Sequence, residues 1–124
     1  MISKRPVNLN LFTFSFPIPA IVSILHRISG VVLFLLIPAL LAVLACSLQG
    51  AEGFNRVVSF FSHPFVKFCL WASLLALFYH LVAGIRHLLM DCHWGDSLSG
   101  GRLGAKLVLF ITLIFALLLG IWLW

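Results

Sequence analysis

Three long stretches of this chain are almost wholly apolar, and short polar segments separate them. The first runs through residues 28–48 without a charge. At ~1.5 Å per residue that is about 30 Å of helix, the thickness of a bilayer's hydrocarbon core. Pro17 and Pro19 stand just before it, and Pro19 suits a first helical turn, where its missing N–H is not needed. Pro38 falls in the middle and predicts a kink. The first helix is expected over residues 20–48. Residues 50–63, with Glu52, Gly53, Asn55 and Arg56, read as a polar connection. Pro64 suits the first turn of a second helix over 64–90, apolar except for Lys67, His80, Arg86 and His87. Residues 91–104, with Gly95, Ser97, Ser99, Gly100, Gly101 and Gly104, read as a flexible loop. A third helix is expected over 103–124, with Thr112 and Gly120 its polar or small interruptions. Before all of these, Phe12-Thr13-Phe14-Ser15-Phe16 alternates with period two and predicts a short extended or interfacial piece. The pattern therefore predicts an all-α integral membrane protein with three transmembrane helices.

Composition agrees. The 124 residues are 63% hydrophobic and 9% charged, against roughly 45–50% and about 25% in a soluble domain. This length leaves no room for a soluble domain beside three spans, so residues 1–124 read as one membrane domain. Lys4 and Arg5 are followed by Pro6, Asn8 and Asn10 rather than by an apolar core, so a removable signal peptide is not expected. The net charge of +5 bears on topology and lipid headgroups rather than on nucleic acid. With the amino terminus inside, the inner side holds Lys4, Arg5, Arg27, Arg86, Arg102 and Lys106, and the outer side only Arg56 and Lys67. That bias predicts a cytoplasmic amino terminus and puts the start of the first helix beside the end of the second. Cys46, Cys69 and Cys92 follow no metal-binding spacing and read as small apolar packing residues, a Cys46–Cys69 disulfide being the alternative.

The chain's polar chemistry is concentrated in two motifs. One is His80-x-x-x-Gly84-Ile85-Arg86-His87-x-x-x-Asp91. At about 100° per residue, His80, Gly84, His87 and Asp91 share a sector about 60° wide, and Arg86 points elsewhere. An imidazole as deep as His80 must be paired, liganded or solvated. Neutral imidazole is a good iron ligand, and haem is a flat apolar group that fits between helices, where Gly84 would leave space for the porphyrin. The plainer alternative is that His80 hydrogen-bonds a neighbouring helix and Gly84 is a small packing residue. A bis-histidine haem would need its second ligand from another polypeptide.

The other motif is Ser23-x-x-His26-Arg27-x-Ser29-Gly30. Ser23, His26, Arg27 and Gly30 fall within about 100° of arc. They offer a hydroxyl, an imidazole and a guanidinium to one pocket at the inner rim. Such a set can hold haem propionates or hydrogen-bond a quinone's carbonyls. Equally, Arg27 can snorkel to lipid phosphates while Ser23 helps start the helix. His63 and His93 read as solvated surface residues. Trp71, Trp94, Trp122 and Trp124 read as interface or lipid-contact aromatics. Tyr79 reads as packing, its hydroxyl satisfied by a neighbouring helix.

Taken together with Arg5-Pro6-Val7, these two motifs resemble the cytochrome b subunits of succinate dehydrogenase, the respiratory complex II. The resemblance covers nearly the whole chain and the order of its three helices. It implies a bacterial inner-membrane anchor that works with a second small membrane anchor, an iron–sulfur subunit and a flavoprotein. FAD and the iron–sulfur clusters would lie in those partners, so the chain would be a non-flavin subunit of a succinate:quinone oxidoreductase. Haem b would be shared between the two anchors, with His80 as an axial ligand and His26 near the propionates. The haem pocket would draw on Arg27, Gly84 and His87, and Ser23 and Arg27 would belong to the ubiquinone site. Two other readings stay open. One is the anchor of a fumarate reductase running in reverse; the other is a small non-haem membrane transport or assembly protein using its buried His and Arg.

Overall fold

The computed structural model describes residues 16–124 of the chain. Arg5-Pro6-Val7, the amino-terminal basic residues Lys4 and Arg5, and the alternating stretch up to Ser15 lie outside the described residues.

Among the described residues the architecture is all helical. α1 spans Ile18–Ser47, α2 Ala51–Ser62, α3 Pro64–Asp91 and α4 Leu98–Leu123. α1, α3 and α4 are each long and apolar enough to cross a membrane. Pro19 lies in the first turn of α1, and Pro38 sits inside that helix, where it removes one backbone donor. Most large apolar side chains point outward: Phe34, Leu35, Phe110, Leu117 and Ile121 are all exposed on the helices' outer faces. In water this would be untenable; in lipid it is the expected exterior, because hydrocarbon solvates these side chains as well as the interior does. The protein is a multi-pass membrane protein.

α3 is the central element and packs against each of the other three helices, whereas α2 does not touch α4. The small buried core lies at one end of the bundle and comprises Val22, Tyr79, Ala83, Ala105 and Val108. Two further contacts tie α3 to α4. Phe78 and Phe115 stack with their ring centres 3.8 Å apart, and the Trp71 indole N–H donates to the carbonyl of Ala116 at 3.0 Å. Trp71 is thus a helix-to-helix tie rather than a lipid-contact aromatic; Trp94, Trp122 and Trp124 are exposed.

Two expected connections turn out to be partly helical. Residues 50–63 contain α2 rather than a bare polar link. Phe54, Val57, Val58 and Phe61 fall at i, i+3, i+4 and i+7, so one face of α2 is apolar while Glu52, Asn55, Arg56 and Ser59 occupy the other. Gly50, with φ of 98°, makes the sharp reversal out of α1 that a side chain would resist. Gly53 lies directly against the Cys46 carbonyl, and Arg56 donates to Gln49 Oε1 at 3.1 Å, so the helix folds back onto the end of α1. The glycine-rich segment expected as a loop to residue 104 is helical from Leu98, because Ser97 caps it by accepting from the Gly100 N–H at 3.1 Å. All three cysteines are free thiols; no Cys46–Cys69 disulfide forms.

Candidate functional site

The two motifs meet where α1 crosses α3. His80 and His87 are two turns apart on one face of α3, and Gly84 lies between them. The His26 ring enters from α1 and fills that interval. It stacks on His80 at a centroid distance of 4.2 Å and an interplanar angle of 15°. On its other side it stacks on His87 at 5.0 Å and 22°. A Cβ on Gly84 would come within 3.3 Å of His26 Nε2, so the glycine makes room for this imidazole. Within the chain, the space that Gly84 leaves open is taken by this ring. Gly30 does the same for His80, since a Cβ there would lie 3.1 Å from His80 Cε1.

The hydrogen bonds around His80 fix its tautomer. Ser29 Oγ donates to the His26 carbonyl at 2.7 Å, so its proton is committed. His80 Nδ1 lies 3.0 Å from that same Oγ and 3.2 Å from the His26 carbonyl oxygen. A carbonyl only accepts, so Nδ1 carries the proton and donates to this pair. The lone pair of the neutral ring is then on Nε2. A backbone or hydroxyl partner on one ring nitrogen is the arrangement that orients a histidine for metal binding through the other. His87 Nδ1 is held in the same manner, 2.6 Å from the carbonyl of Ala83. His26 Nε2 is buried and has no hydrogen-bond partner. A buried, unpaired imidazole nitrogen is costly by itself and marks a place where a further group belongs.

Below the stack, the buried Tyr79 hydroxyl donates to the Val22 carbonyl at 2.8 Å and pins α3 to α1. Tyr79 is thus a packing residue whose hydroxyl a neighbouring helix satisfies, as expected. Ser29 is a support that the motif reading left without a role; the spacing His26-x-x-Ser29 was its visible signal, since i and i+3 share a face.

The remaining motif residues are elsewhere. Ser23 is half-buried and Arg27 exposed on the flank of α1, and neither makes a side-chain hydrogen bond or ion pair among the described residues. Asp91 ends α3 in an exposed position. Arg86 turns to the opposite side, as its angle on the helix requires, and is buried against α4, donating to the Gly101 carbonyl at 3.0 Å. His93 is exposed and lies 3.2 Å from Asp96; His63 is exposed between α2 and α3.

Three membrane-spanning helices with an ordered imidazole stack at one end define a multi-pass membrane protein with a buried polar site. The family model described as "Succinate dehydrogenase/Fumarate reductase transmembrane subunit" matches residues 1–119. The succinate dehydrogenase cytochrome b556 subunit of Coxiella burnetii is 43% identical over the full length of both chains. The protein of the same name from Rickettsia felis is 33% identical over 94% of this chain and 91% of its own. The chain therefore belongs to the succinate dehydrogenase/fumarate reductase transmembrane-subunit family, and within it to the succinate dehydrogenase cytochrome b membrane subunits.

Proposed function

We propose that this chain anchors a succinate dehydrogenase in the bacterial inner membrane, holds haem b through His80, and contributes Ser23 and Arg27 to the ubiquinone-reducing site. The observation that carries the reading is the committed tautomer of His80, whose Nδ1 donates to the Ser29–His26 pair and leaves the Nε2 lone pair for iron. The buried, unpartnered His26 Nε2 supports it, being a donor or acceptor suited to a propionate at the same level. When bound, haem b would supply a one-electron carrier in the membrane. His80 would hold it together with a histidine of a second small anchor subunit. His87 and Gly84 keep the His26 ring in place beside it.

Ser23 and Arg27 are separated by one turn on α1 and have no side-chain partner among the described residues, so both can turn toward a substrate. Ubiquinone takes up two electrons and two protons, and negative charge develops on its oxygens. A hydroxyl and a guanidinium stabilise that charge best where water is excluded. The remaining donors belong to partner subunits, as do FAD and the iron–sulfur clusters. The excess of Lys and Arg flanking this end of the bundle favours a cytoplasmic amino terminus, with the iron–sulfur subunit and the flavoprotein docked on that side.

The test uses the purified whole complex. His80→Leu is expected to remove or alter the low-spin bis-histidine spectrum; an unchanged spectrum sinks the ligand assignment. Ser23→Ala and Arg27→Leu are expected to lower succinate–quinone activity by up to about a hundredfold. Succinate oxidation with an artificial acceptor at the flavin should stay intact. Normal quinone turnover and affinity in both variants would place the quinone site elsewhere.

A further inference from the structure

The back of α3 carries a second chemical feature. Arg86 is only 8% exposed, yet among the described residues just one of its five N–H groups, on Nη2, has an acceptor, the Gly101 carbonyl at 3.0 Å. Its Nε is buried without a partner. No carboxylate among the described residues pairs with it; the carboxylates nearby, Asp91 and Asp96, are exposed, and Asp96 faces His93. Gly101 and Gly104 let the side chain lie flat on α4, where a Cβ at Gly104 would come within 3.3 Å of Nε. The guanidinium thus sits at the amino-terminal turn of α4, the positive end of its dipole, with Arg102 and Lys106 exposed on the same helix. A buried cation in such surroundings, with no counter-charge, calls for an anion.

Arg86 lines a groove of about 250 Å³ between α3 and α4. One end, at Trp94, Gly95 and Gly100, is the rim; from there the walls are apolar through Val82, Leu107 and Ile111. The lining runs over about 16 Å of α4, counted from Gly100 to Ile111. A charge at the rim end and a long greasy floor is the shape complement of an amphiphile. Trp94 at the mouth is 73% exposed, as an aromatic at the headgroup level is.

We infer that this groove binds an anionic phospholipid, its phosphate on Arg86 and one acyl chain along Val82, Leu107 and Ile111. The choice of a lipid over a partner protein's carboxylate rests in part on the function proposed above. Val82, Ile85 and Leu89 lie about half a turn around α3 from the His80–His87 face, where the second anchor would share the haem. The groove therefore opens away from that subunit and into the bilayer leaflet that the α3–α4 connection faces.

The experiment is native mass spectrometry of the whole complex, delipidated and returned to nanodiscs of phosphatidylcholine with or without phosphatidylglycerol. The wild type is expected to retain one phosphatidylglycerol on this subunit and to gain thermal stability when that lipid is present. Arg86→Gln should retain about fivefold less, the effect of one cation near the surface. Ile111→Trp, which fills the groove and leaves Arg86 intact, should lose the lipid as well, so a folding defect of Arg86→Gln does not decide the matter. Lys106→Gln is expected to retain it. Equal retention in wild type, Arg86→Gln and Ile111→Trp overturns the proposal. So does an Arg86→Gln destabilisation that is the same with and without phosphatidylglycerol, which would mean that a protein carboxylate neutralises the charge. None of these readings depends on haem, so a failed haem assignment and a failed lipid site are told apart.

Discussion

The two faces of α3 are built on opposite principles. Toward α1, its side chains are polar, and α1 meets them largely with backbone: Tyr79 bonds the Val22 carbonyl, and His80 the His26 carbonyl and Ser29. The His80 bonds use one ring nitrogen and leave the other open. Toward α4, most contacts are of shape: Phe78 on Phe115, Ala83 with Ala105 and Val108, and glycines that admit the Arg86 stem, with two hydrogen bonds to backbone carbonyls, from Trp71 and from Arg86. A helix pair in lipid gains nothing from excluding water, so close packing and hydrogen bonds must do the work. Each face leaves one buried side-chain atom without a partner among the described residues, Arg86 Nε toward α4 and His26 Nε2 toward α1. Only the α1 face gathers three imidazoles into one stack.

This contrast is breakable. The largest effect is expected from Gly84→Leu, which pushes a side chain into the place of the His26 ring. It should cost about 1–3 kcal/mol as an overpacked contact. Haem content per assembled complex should drop with it; a Gly84→Leu complex with full haem and wild-type unfolding would show that the stack is incidental. Ser29→Ala should act more narrowly. It removes one of the two acceptors of His80 Nδ1–H while leaving the fold in place, so haem should remain but be lost about tenfold more readily to a competing apoprotein. An unchanged loss rate would mean that the serine serves only the backbone of α1. The smallest effect is expected from Tyr79→Phe. The Val22 carbonyl sits within α1 and keeps its own helical partner, so only one interhelical bond is given up, about 0.6 kcal/mol in a membrane. The visible spectrum should not move; a spectral change there would extend the haem-supporting network below the stack.

Much of this architecture is legible in the residues themselves. The three spans follow from charge-free apolar runs whose length matches the bilayer, and lipid imposes a helix on each because every backbone group must be satisfied within it. The meeting of the two motifs follows from the up–down order of those spans. Other features were hidden for identifiable reasons. In α2, the count of Glu52, Asn55 and Arg56 masked the spacing of Phe54, Val57, Val58 and Phe61, which only an amphipathic reading detects. At residues 98–104 the glycines suggested a loop, but Gly101 and Gly104 are there to let Arg86 reach the α4 backbone, a requirement set by a side chain on another helix. Trp71 looked like an interfacial aromatic because nothing local reveals the Ala116 carbonyl it bonds. Gly84 is the same kind of case: its partner is an imidazole 58 positions earlier in the chain.

The imidazole wedged between two others has a mechanical consequence. Smooth apolar rods in a bilayer can slide past one another along the membrane normal with little penalty, since lipid contacts replace whatever contacts are lost. His26 acts as a tooth in a notch. Moving α1 by one turn, about 5.4 Å, would take the tooth out of its gap and, in the same displacement, draw Ser29 from His80 and the Val22 carbonyl from Tyr79. The stack therefore sets the vertical offset of the two helices, and with it the depth at which anything held by His80 rides in the membrane.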